Sequence, residues 1–369
     1  MRIFIFSSSP EPVGVAKNTL ALCKSLSGRG YDVSMLTLNS GWLTKECQLL
    51  GVPVKAFKFS SVFWSAILIN FYLFFLLRNE RGACLHLNGR ATIFSSILCL
   101  AFNRNVKYFY SIRQFVCVGH PGFLSWKVKL EKFLMGLSKI SLHAVSKPLA
   151  DETQLRILNK KNVVHIPNFL PIRSEGSVDE CFDYEGKRKF RFIFAGRLSL
   201  EKGADILIDA FANAHQNIAK VGFNLGLDVY GSGEQCGYLA GLIKHYSLQD
   251  YVTLRGQCDC ASELFSNYDA VIIPSRSESF GLVAIEAFAK GVPVIASDIP
   301  GLASVVGDSA LLYAAENPSE LALAINKFCD SFSLRKTLRD RGVARAKRFS
   351  ENMIVPKFEL LYKGIFHSD

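Results

Sequence analysis

The sequence predicts an α/β fold built from two Rossmann-like domains, each with a parallel sheet. The chain has 369 residues, which is too long for one ordinary domain and suits two. Hydrophobic residues make up 49% of it, enough for two packed cores. In each half, short apolar strands alternate with helical patterns, and the charged stretch Ser174–Lys189 between the halves is typical of a linker.

The first half opens with a strand, a loop and a helix. Arg2–Ser7 is rich in β-forming residues and runs into a loop of serines and prolines, after which apolar residues recur at helical spacing. The alternation continues through a predicted helix, Ala91–Ala101, and the predicted strands Asp32–Leu38, Ala83–Leu87, Val106–Ile112, Ser141–Val145 and Val163–Ile166. This order indicates βαβ units and a sheet covered on both faces. Residues 1–173 are assigned to a first domain and 174–189 to the linker.

The second half repeats the pattern. The predicted strands are Phe190–Ala195, Asn224–Tyr230, Val252–Arg255, Ala270–Ile273 and Val292–Ala296. The predicted helices are Gly203–His215, Tyr238–His245, Gly281–Ala289 and Ser333–Arg348. Residues 190–350 are assigned to a second domain and 351–369 to a terminal segment with a last helix, Glu351–Ile365.

The charge is concentrated in the first half. Residues 1–180 contain 22 Lys and Arg against 10 Asp and Glu, whereas residues 181–369 contain 21 against 22. This asymmetry indicates that the first domain meets a phosphate-bearing partner or an anionic surface. The uncharged run Val62–Leu77 is shorter than the ~20 residues that a spanning helix needs, so we expect a helix that is buried or lies partly in a membrane surface.

The ten cysteines show no secreted-type framework, and most lie singly in apolar runs. Cys258 and Cys260 have no second pair to complete a zinc site, so we interpret them as structural or incidental. No cleavable signal is evident. We expect a reduced, cytoplasmic protein that needs no metal and binds no nucleic acid.

The first candidate site is the turn after the strand Phe190–Ala195. It carries Gly196, Arg197 and Lys202 before a helix begins. Ligands bind at strand ends of a doubly wound sheet. A guanidinium and an ammonium placed there suit a diphosphate, because both neutralise oxygens that gain charge as a leaving group departs. The alternative is a pair of solvated surface charges.

A glycine-rich turn, Tyr230–Glu234, follows the next strand. It contains Gly231 and Gly233 but lacks the third glycine of a dinucleotide-binding fingerprint. We interpret it as a tight turn that opens a helix close to the ligand. The incomplete pattern disfavours a dinucleotide oxidoreductase.

The most specific pattern lies in the loop after the fourth strand of the second half. The backbone N–H groups of Ser279, Phe280 and Gly281 are predicted to face an anion at a helix N-terminus. Glu278 lies in the loop within reach of sugar hydroxyls. Glu286, one to two turns into the helix, can accept two hydrogen bonds from a vicinal diol such as that of ribose. A helix cap and a buried salt bridge are the alternative for either glutamate alone.

These motifs resemble the group 1 (family 4) retaining glycosyltransferases of the GT-B fold. The resemblance is densest from Phe190 to Leu312 and rests on the blocks Ala195-Gly196-Arg197 and Glu201-Lys202-Gly203 and on the pair Glu278 and Glu286. Weaker matches extend it over nearly the whole chain, at His143–Lys147, Ile166–Asn168, Val294–Asp298 and Phe349–Glu351.

The resemblance implies a role for each of these positions. Arg197 and Lys202 are expected to bind the donor diphosphate, Glu278 the donor sugar and Glu286 the ribose. It also implies that the two domains face each other across a cleft and that the terminal helix crosses back onto the first domain.

Two positions in the first domain depart from the family pattern. Gly14 stands alone where the family usually has a Gly-Gly pair, and we expect that it still lets the backbone approach the phosphates. Arg113 stands where the family often has a histidine near the donor sugar. His86 and His120 lie nearby in the sequence and are candidates to replace that histidine, although a lone histidine is more often packed or solvated. We predict that Arg113 lines the cleft and touches the donor sugar or an acceptor phosphate.

The resemblance implies transfer of a sugar, with retention of anomeric configuration, from a nucleoside-diphosphate sugar to an acceptor hydroxyl, without a cofactor. Together with the basic first domain, it indicates surface polysaccharide assembly (lipopolysaccharide, O-antigen or capsule) on a saccharide or polyprenyl-phosphate-linked acceptor. We expect a peripheral location at the inner face of the cell membrane. A nucleotide-sugar epimerase of the same fold and a non-catalytic nucleotide-sugar-binding protein remain as alternatives.

Overall fold

The computed structural model divides the chain into two compact units, Met1–Pro171 with Glu351–Asp369, and Ile172–Ser350. It describes residues 1–9, 11, 14–57, 62–115, 125–157, 162–171, 188–219, 222–258 and 260–365. For residues 62–66, 125–127 and 218–219 only the backbone is described. All but the last two residues of the predicted linker lie outside these ranges.

The first unit contains a seven-stranded parallel sheet. Its strands are β1 (Arg2–Ser7), β2 (Asp32–Thr37), β3 (Val54–Ala56), β4 (Cys84–Asn88), β5 (Lys107–Ile112), β6 (Ile140–Ala144) and β7 (Val163–His165). They lie in the order β3-β2-β1-β4-β5-β6-β7, and every pair is parallel. Because both faces of the sheet are covered, β1, β2 and β5 are buried along all but their first residue, which explains their nearly continuous apolar sequence.

The helices between these strands are α1 (Gly14–Gly28), α2 (Trp42–Leu49), α3 (Val62–Leu77), α4 (Arg90–Phe94), α5 (Ile97–Phe102), α6 (Ser125–Met135) and α7 (Lys147–Arg156). The single helix predicted over Ala91–Ala101 is therefore two. The hydroxyls of Ser95 and Ser96 donate to carbonyl oxygens one turn earlier, a bonding pattern that competes with regular helix geometry.

The second unit contains a six-stranded parallel sheet. Its strands are β8 (Lys189–Ala195), β9 (Asn224–Tyr230), β10 (Val252–Gly256), β11 (Ala270–Ile273), β12 (Val294–Asp298) and β13 (Leu311–Ala314), in the order β10-β9-β8-β11-β12-β13. The helices are α8 (Ala204–Ala219), α9 (Cys236–His245), α10 (Leu282–Ala289), α11 (Pro300–Val306), α12 (Pro318–Asp330) and α13 (Phe332–Lys347). Short 3-10 helices cover Leu200–Lys202, Ala261–Asn267 and Gly307–Ser309.

Residues of β8 alternate between two cores, one on each face of this sheet. Phe190 and Phe192 pack against Phe328 of α12, with ring centroids 6.3 and 5.9 Å apart, whereas Ile193 packs on the other face with Val271. This alternation is what a strand buried on both faces requires. It fixes β8 at the centre of the second unit.

The last helix, α14 (Glu351–Lys363), belongs to the first unit. Its apolar residues enter the core formed with β1, β4 and α1, namely Ile354, Val355, Phe358, Leu361 and Tyr362. The first unit is therefore formed by both ends of the chain, and the second unit by the residues between them.

Each sheet has one point at which the strand order reverses. It lies between β1 and β4 in the first unit and between β8 and β11 in the second. Loops that leave neighbouring strands in opposite directions open a crevice there, and in doubly wound folds this is where ligands bind.

None of the described helices has the length and apolar character that crossing a membrane requires.

Candidate functional site

The loops that follow β8 and β11 meet at the reversal point of the second sheet. Lys202 ends the 3-10 helix after β8, and Glu278 lies in the loop after β11. The Lys202 Nζ lies 2.5 Å from the Glu278 Oε1, and the two side chains are 23% and 18% exposed. Two residues that the sequence predicts to bind adjacent parts of one donor are thus brought side by side.

Arg276 ties these two loops together. Its Nη1 donates to the carbonyl oxygen of Leu200 at 2.7 Å, and its two Nη atoms donate to the two carboxylate oxygens of Asp205 at 2.8 and 2.7 Å. Its backbone N–H donates to the carbonyl oxygen of Glu201 at 2.8 Å. The Arg276 fork therefore fixes the segment that carries Lys202 against the segment that carries Glu278. This role of Arg276 could not be predicted, because nothing in the sequence shows that Asp205 lies opposite it.

The hydrogen bonds between Arg276 and Asp205 shift the pKa values of both groups. Burial raises the pKa of Asp205, but the hydrogen bonds and the charge of Arg276 outweigh burial and hold that pKa below its ordinary value. The hydrogen bonds to Asp205 in turn raise the pKa of Arg276. Both groups are therefore charged at neutral pH.

Two glycines allow these loops to approach through their backbones. Gly203 has φ +69°, and a Cβ there would lie 2.0 Å from the carbonyl oxygen of Pro274. A Cβ on Gly301, in α11, would lie 1.9 Å from the carbonyl oxygen of Glu278. Neither position has room for a side chain, so both glycines are needed to place the Lys202–Glu278 pair.

The glycine-rich turn after β9 supports the segment that carries Arg197. The Gly196 N–H donates to the carbonyl oxygen of Tyr230 at 3.0 Å, and the Leu198 N–H donates to that of Ser232 at 2.9 Å. Arg197 itself is exposed, and it forms an ion pair with none of the residues that the structure describes. The turn thus presents a solvated guanidinium on a backbone that is held at both neighbouring positions.

Helix α10 starts directly after the predicted anion-binding turn. Gly281 is its N-cap residue, with φ +88°, and the helix begins at Leu282 rather than at Gly281. Within the described ranges, no backbone carbonyl accepts a hydrogen bond from the N–H groups of Ser279, Phe280 or Gly281. The Phe280 ring is buried edge-on against Phe349, at 5.6 Å between centroids, so only its backbone can serve a ligand.

Glu286 lies in the second turn of α10, where its side chain is half-buried. Ser279 is half-buried as well. The helix thus carries Glu286 behind the turn formed by residues 279–281, as the sequence spacing predicts.

In the first unit, Arg113 follows β5 and is held by two asparagines. Its Nε donates to the Asn88 Oδ1, and its Nη1 donates to the Asn168 Oδ1 at 2.6 Å. Its Nη2 is buried and has no hydrogen-bond partner among the described residues. Burial lowers the pKa of Arg113 to about 10. The guanidinium is therefore a half-buried cation held by neutral partners and is not part of a surface salt bridge.

The roles of Asn88 and Asn168 were not predicted from the sequence. Asn88 ends β4, beside the reversal point of the first sheet, and also donates to the Thr19 hydroxyl at 2.6 Å. Asn168 lies in the Ile166–Asn168 block that contributes to the family resemblance. The block could be recognised in the sequence, but only the fold shows that Asn168 accepts a hydrogen bond from Arg113.

His86 is not available to a ligand, so its candidacy as the replacement histidine is wrong. It is fully buried in β4, with Nδ1 2.6 Å from the Tyr362 hydroxyl and Nε2 2.5 Å from the Ser111 hydroxyl. Burial, with a smaller effect of the Arg113 charge, lowers the pKa of His86 to about 3. The other candidate, His120, lies outside the described residues.

The remaining predicted positions are the first-loop glycine and the cysteine pair. Gly14 is exposed and begins α1. The Sγ atoms of Cys258 and Cys260 lie 3.5 Å apart. In the described ranges, no three His, Cys, Asp or Glu side chains are grouped so as to hold a metal ion.

The family profile of the group 1 glycosyl transferases matches residues 183–345. Residues 183–345 are therefore similar in sequence to the group 1 glycosyl transferases. This range contains every predicted site residue of the second unit, and the resemblance found in the sequence is confirmed.

Relatives and solved structures agree with this assignment. A Streptococcus pneumoniae protein, the GtfA subunit of a UDP-N-acetylglucosamine–peptide N-acetylglucosaminyltransferase, is 31% identical over 179 residues. That match covers 48% of this chain and 34% of the pneumococcal protein, so the chain spans about a third of the length of that relative. The amylovoran biosynthesis glycosyltransferase AmsD of Erwinia amylovora is 23% identical over 353 residues, 94% of each chain.

A crystal structure of Anabaena Alr3699/HepE in complex with UDP superimposes with a TM-score of 0.79. The match covers 99% of this chain and 100% of HepE, at 20% sequence identity. This likeness confirms the predicted fold, the GT-B combination of two Rossmann-like domains with parallel sheets.

Proposed function

We propose that the protein is a retaining glycosyltransferase that moves a sugar from a nucleoside-diphosphate sugar to an acceptor hydroxyl. The observation that carries this proposal is the Lys202–Glu278 ion pair at the reversal point of the group 1 glycosyltransferase domain. A cation beside a carboxylate suits a donor in which a diphosphate adjoins sugar hydroxyls, since the ammonium binds phosphate oxygens and the carboxylate accepts from hydroxyls.

The second domain binds the donor in this proposal. Lys202, Arg197 and the backbone N–H groups of residues 279–281 bind the diphosphate and neutralise the charge that grows as the glycosidic bond breaks. Groups that interact more strongly with the transition state than with the bound donor lower the barrier. Glu278 accepts hydrogen bonds from the sugar and Glu286 from the ribose, while Gly196 and Gly281 let the backbone approach the phosphates.

The acceptor hydroxyl attacks the anomeric carbon from the face that the diphosphate leaves. The departing phosphate oxygen takes the hydroxyl proton, so the products are a glycoside of unchanged configuration and a nucleoside diphosphate. This proton transfer requires neither a protein base nor a cofactor.

In the first domain, Arg113 and Gly14 are the residues proposed to contact substrate. A half-buried guanidinium whose hydrogen-bond partners among the described residues are neutral favours an anionic or hydroxyl-rich partner, because an uncompensated charge in a low-dielectric environment is costly. We assign Arg113 to the donor sugar or to a phosphate on the acceptor, and Gly14 to close approach of the first loop to the donor phosphates.

We further propose that the acceptor is a saccharide linked to polyprenyl phosphate, in surface polysaccharide synthesis at the cytoplasmic face of the cell membrane. Support comes from AmsD, which is named for amylovoran biosynthesis, and from the excess of 22 cationic over 10 acidic residues in residues 1–180. The UDP in the HepE structure and the UDP-N-acetylglucosamine in the name of the pneumococcal relative favour a uridine nucleotide as the donor.

The test is a panel of radiolabelled nucleotide sugars, uridine nucleotides first, incubated with the purified protein. Release of free nucleoside diphosphate, with label in an acceptor or in water, supports a transferase, and NMR of the anomeric proton reports retention. An altered sugar on an intact nucleotide would mean an epimerase. Binding of every tested donor without turnover, with and without saccharide acceptors, would favour a binding protein.

A further inference from the structure

Helix α3 presents an apolar stripe to solvent. Spacings of three and four residues place the members of the stripe on one side of the helix. They are 49%, 51%, 37% and 57% exposed, in the order Leu68, Phe71, Tyr72 and Phe75. The opposite side is anchored in the core by Ile69, Leu73 and Leu77, which are at most 1% exposed. The helix is therefore apolar on both sides, although only one side is needed for folding.

An exposed stripe of this kind is unusual on a soluble surface. Isolated apolar side chains in contact with water are common, but contiguous exposed aromatic groups mark surfaces that bind something. Phe102, on the adjoining helix α5, is 70% exposed and adds to the apolar surface of this part of the first unit.

Two cations flank the stripe. The Lys55 Nζ lies 5.5 Å from the centroid of the Tyr72 ring, and the Arg78 Cζ lies 5.3 Å from that of Phe75. Helix α3 itself contains no acidic residue. The acidic residue nearest along the chain is Glu80, and it is already paired with Arg2 at 2.7 Å.

We propose that the α3 face, made of Leu68, Phe71, Tyr72 and Phe75 with Lys55 and Arg78, binds the surface of an anionic lipid bilayer. This inference rests on the proposed lipid-linked acceptor. Segments that lie in a bilayer surface combine aromatic and aliphatic side chains, which enter the acyl boundary, with cations, which meet anionic headgroups. With 16 residues, α3 is too short to span the bilayer and suits a position along its surface.

Charge favours a bilayer over a second copy of the chain. A twofold interface sets the same surface against itself, so Lys55 and Arg78 of one copy would face a surface to which α3 contributes no acidic partner. An anionic headgroup layer compensates both charges.

The experiment is co-sedimentation of the full chain with vesicles of phosphatidylcholine, with and without one quarter phosphatidylglycerol. We expect binding to the anionic vesicles at low salt, weaker binding at high salt and no measurable binding to pure phosphatidylcholine. The variant Phe71→Gln/Phe75→Gln should bind at least about tenfold more weakly, and Lys55→Gln or Arg78→Gln about fivefold more weakly, the effect expected of one cation near an anionic leaflet. The matched control is Leu323→Gln, because Leu323 is 64% exposed but lies on α12 of the other unit.

Three outcomes would overturn the proposal. They are no binding of the wild type at low salt, equal binding of the wild type and the double variant, and a wild-type dimer in light scattering that the double substitution dissociates.

Thermal melts establish that each variant is folded. Titration with UDP and with other nucleoside diphosphates is measured in parallel, because none of these substitutions touches the donor residues. Loss of vesicle binding with normal nucleotide binding concerns the α3 face alone, whereas a wild type that binds vesicles but no nucleotide leaves the α3 face intact and contradicts the proposed function.

Discussion

Lys202 and Glu278 lie 76 residues apart in the chain and form an ion pair, with 2.5 Å between Nζ and Oε1. The pair keeps a partly buried lysine compensated and oriented before any donor binds. Ion pairs of this kind add little net stability, because desolvation offsets most of the attraction. Its position at the reversal point of the second sheet is therefore better explained by ligand binding than by folding.

Removing either proposed diphosphate-binding cation should reduce turnover more than donor binding, because the charge that these cations meet grows in the transition state. For Lys202→Ala and Arg197→Ala we expect a loss of about 2.7–4 kcal/mol of transition-state stabilisation, calculated from the ratio of kcat/KM values. This is the scale of removing one preorganised donor to a developing anion. The control is Lys327→Ala, an exposed lysine of α12. Near-normal turnover of a folded Lys202 or Arg197 variant would remove that residue from the diphosphate site.

The two glutamates of the second domain should separate in a binding experiment with free nucleoside diphosphate, which contains ribose but no sugar. We expect Glu286→Gln mainly to weaken nucleoside diphosphate binding, and Glu278→Gln mainly to slow transfer. Calorimetric titration of both variants measures this difference. Equal affinity of the wild type and Glu286→Gln would contradict the ribose assignment.

Arg113→Ala should reduce transfer by about 100-fold, because it removes a positioned cation from the reacting groups. Arg113→Lys should restore little of this activity, since an ammonium cannot reproduce the guanidinium fork that two asparagines hold. Steady-state kinetics with donor and acceptor varied in turn would show which substrate Arg113 meets. Full activity of Arg113→Ala would exclude a direct role.

Gly301→Ala should misplace Glu278 without changing any charge. The added Cβ would lie 1.9 Å from the Glu278 carbonyl oxygen, so the loop must shift, and a displacement of this order reduces a rate by about 100-fold. The matched control is Gly241→Ala in α9, where a Cβ meets nothing within 4 Å and the helix should gain roughly 0.5–1 kcal/mol. Thermal melts and turnover of both variants test the contrast, and unchanged activity of a folded Gly301→Ala variant would show that the Glu278 loop tolerates the shift.

The protein should lose stability as the pH falls below about 6.5, partly through two buried histidines. Burial lowers the pKa of His86 to about 3 and holds that of His143 well below its ordinary value. Between about pH 6.5 and those lowered values the unfolded chain binds protons that the folded chain does not. The free energy of unfolding therefore decreases by up to roughly 1.4 kcal/mol per pH unit for each histidine.

Urea unfolding at pH 7.5, 6.5 and 5.5 measures this slope. His143→Gln should reduce this slope by up to roughly 1.4 kcal/mol per pH unit. An identical slope in the wild type and His143→Gln would mean that His143 binds protons equally in the folded and unfolded states, which would contradict the lowered pKa.

Several features follow from local pattern alone. Eleven of the thirteen strands that the structure describes, and the helix starts at Gly203 and Gly281, were predicted to within a few residues, because apolar periodicity and glycine positions can be read directly from the sequence. Strands β3 and β13 were not predicted. The group 1 motifs around Lys202 and Glu286 were recognisable for the same reason, since each occupies one loop and the helix after it.

Other features depended on the fold. Three sets of contacts join residues that no local pattern connects. They are the Lys202–Glu278 ion pair, the hydrogen bonds from Arg276 to Asp205, and the hydrogen bonds from Arg113 to Asn88 and Asn168. Parallel sheets place the carboxyl ends of distant strands at one edge, so contacts there are set by strand order, which the sequence does not display.

Burial was the second quantity that only the tertiary structure decided. His86 and Arg113 both lie near the ends of strands in the sequence, and either could have faced a ligand. The packing of α14 over β4 encloses His86 against Tyr362, whereas Arg113 lies beyond the end of β5 and stays partly exposed. The side of α3 that faces solvent was likewise undetermined, because its sequence is apolar all round and only its neighbours determine which residues are covered.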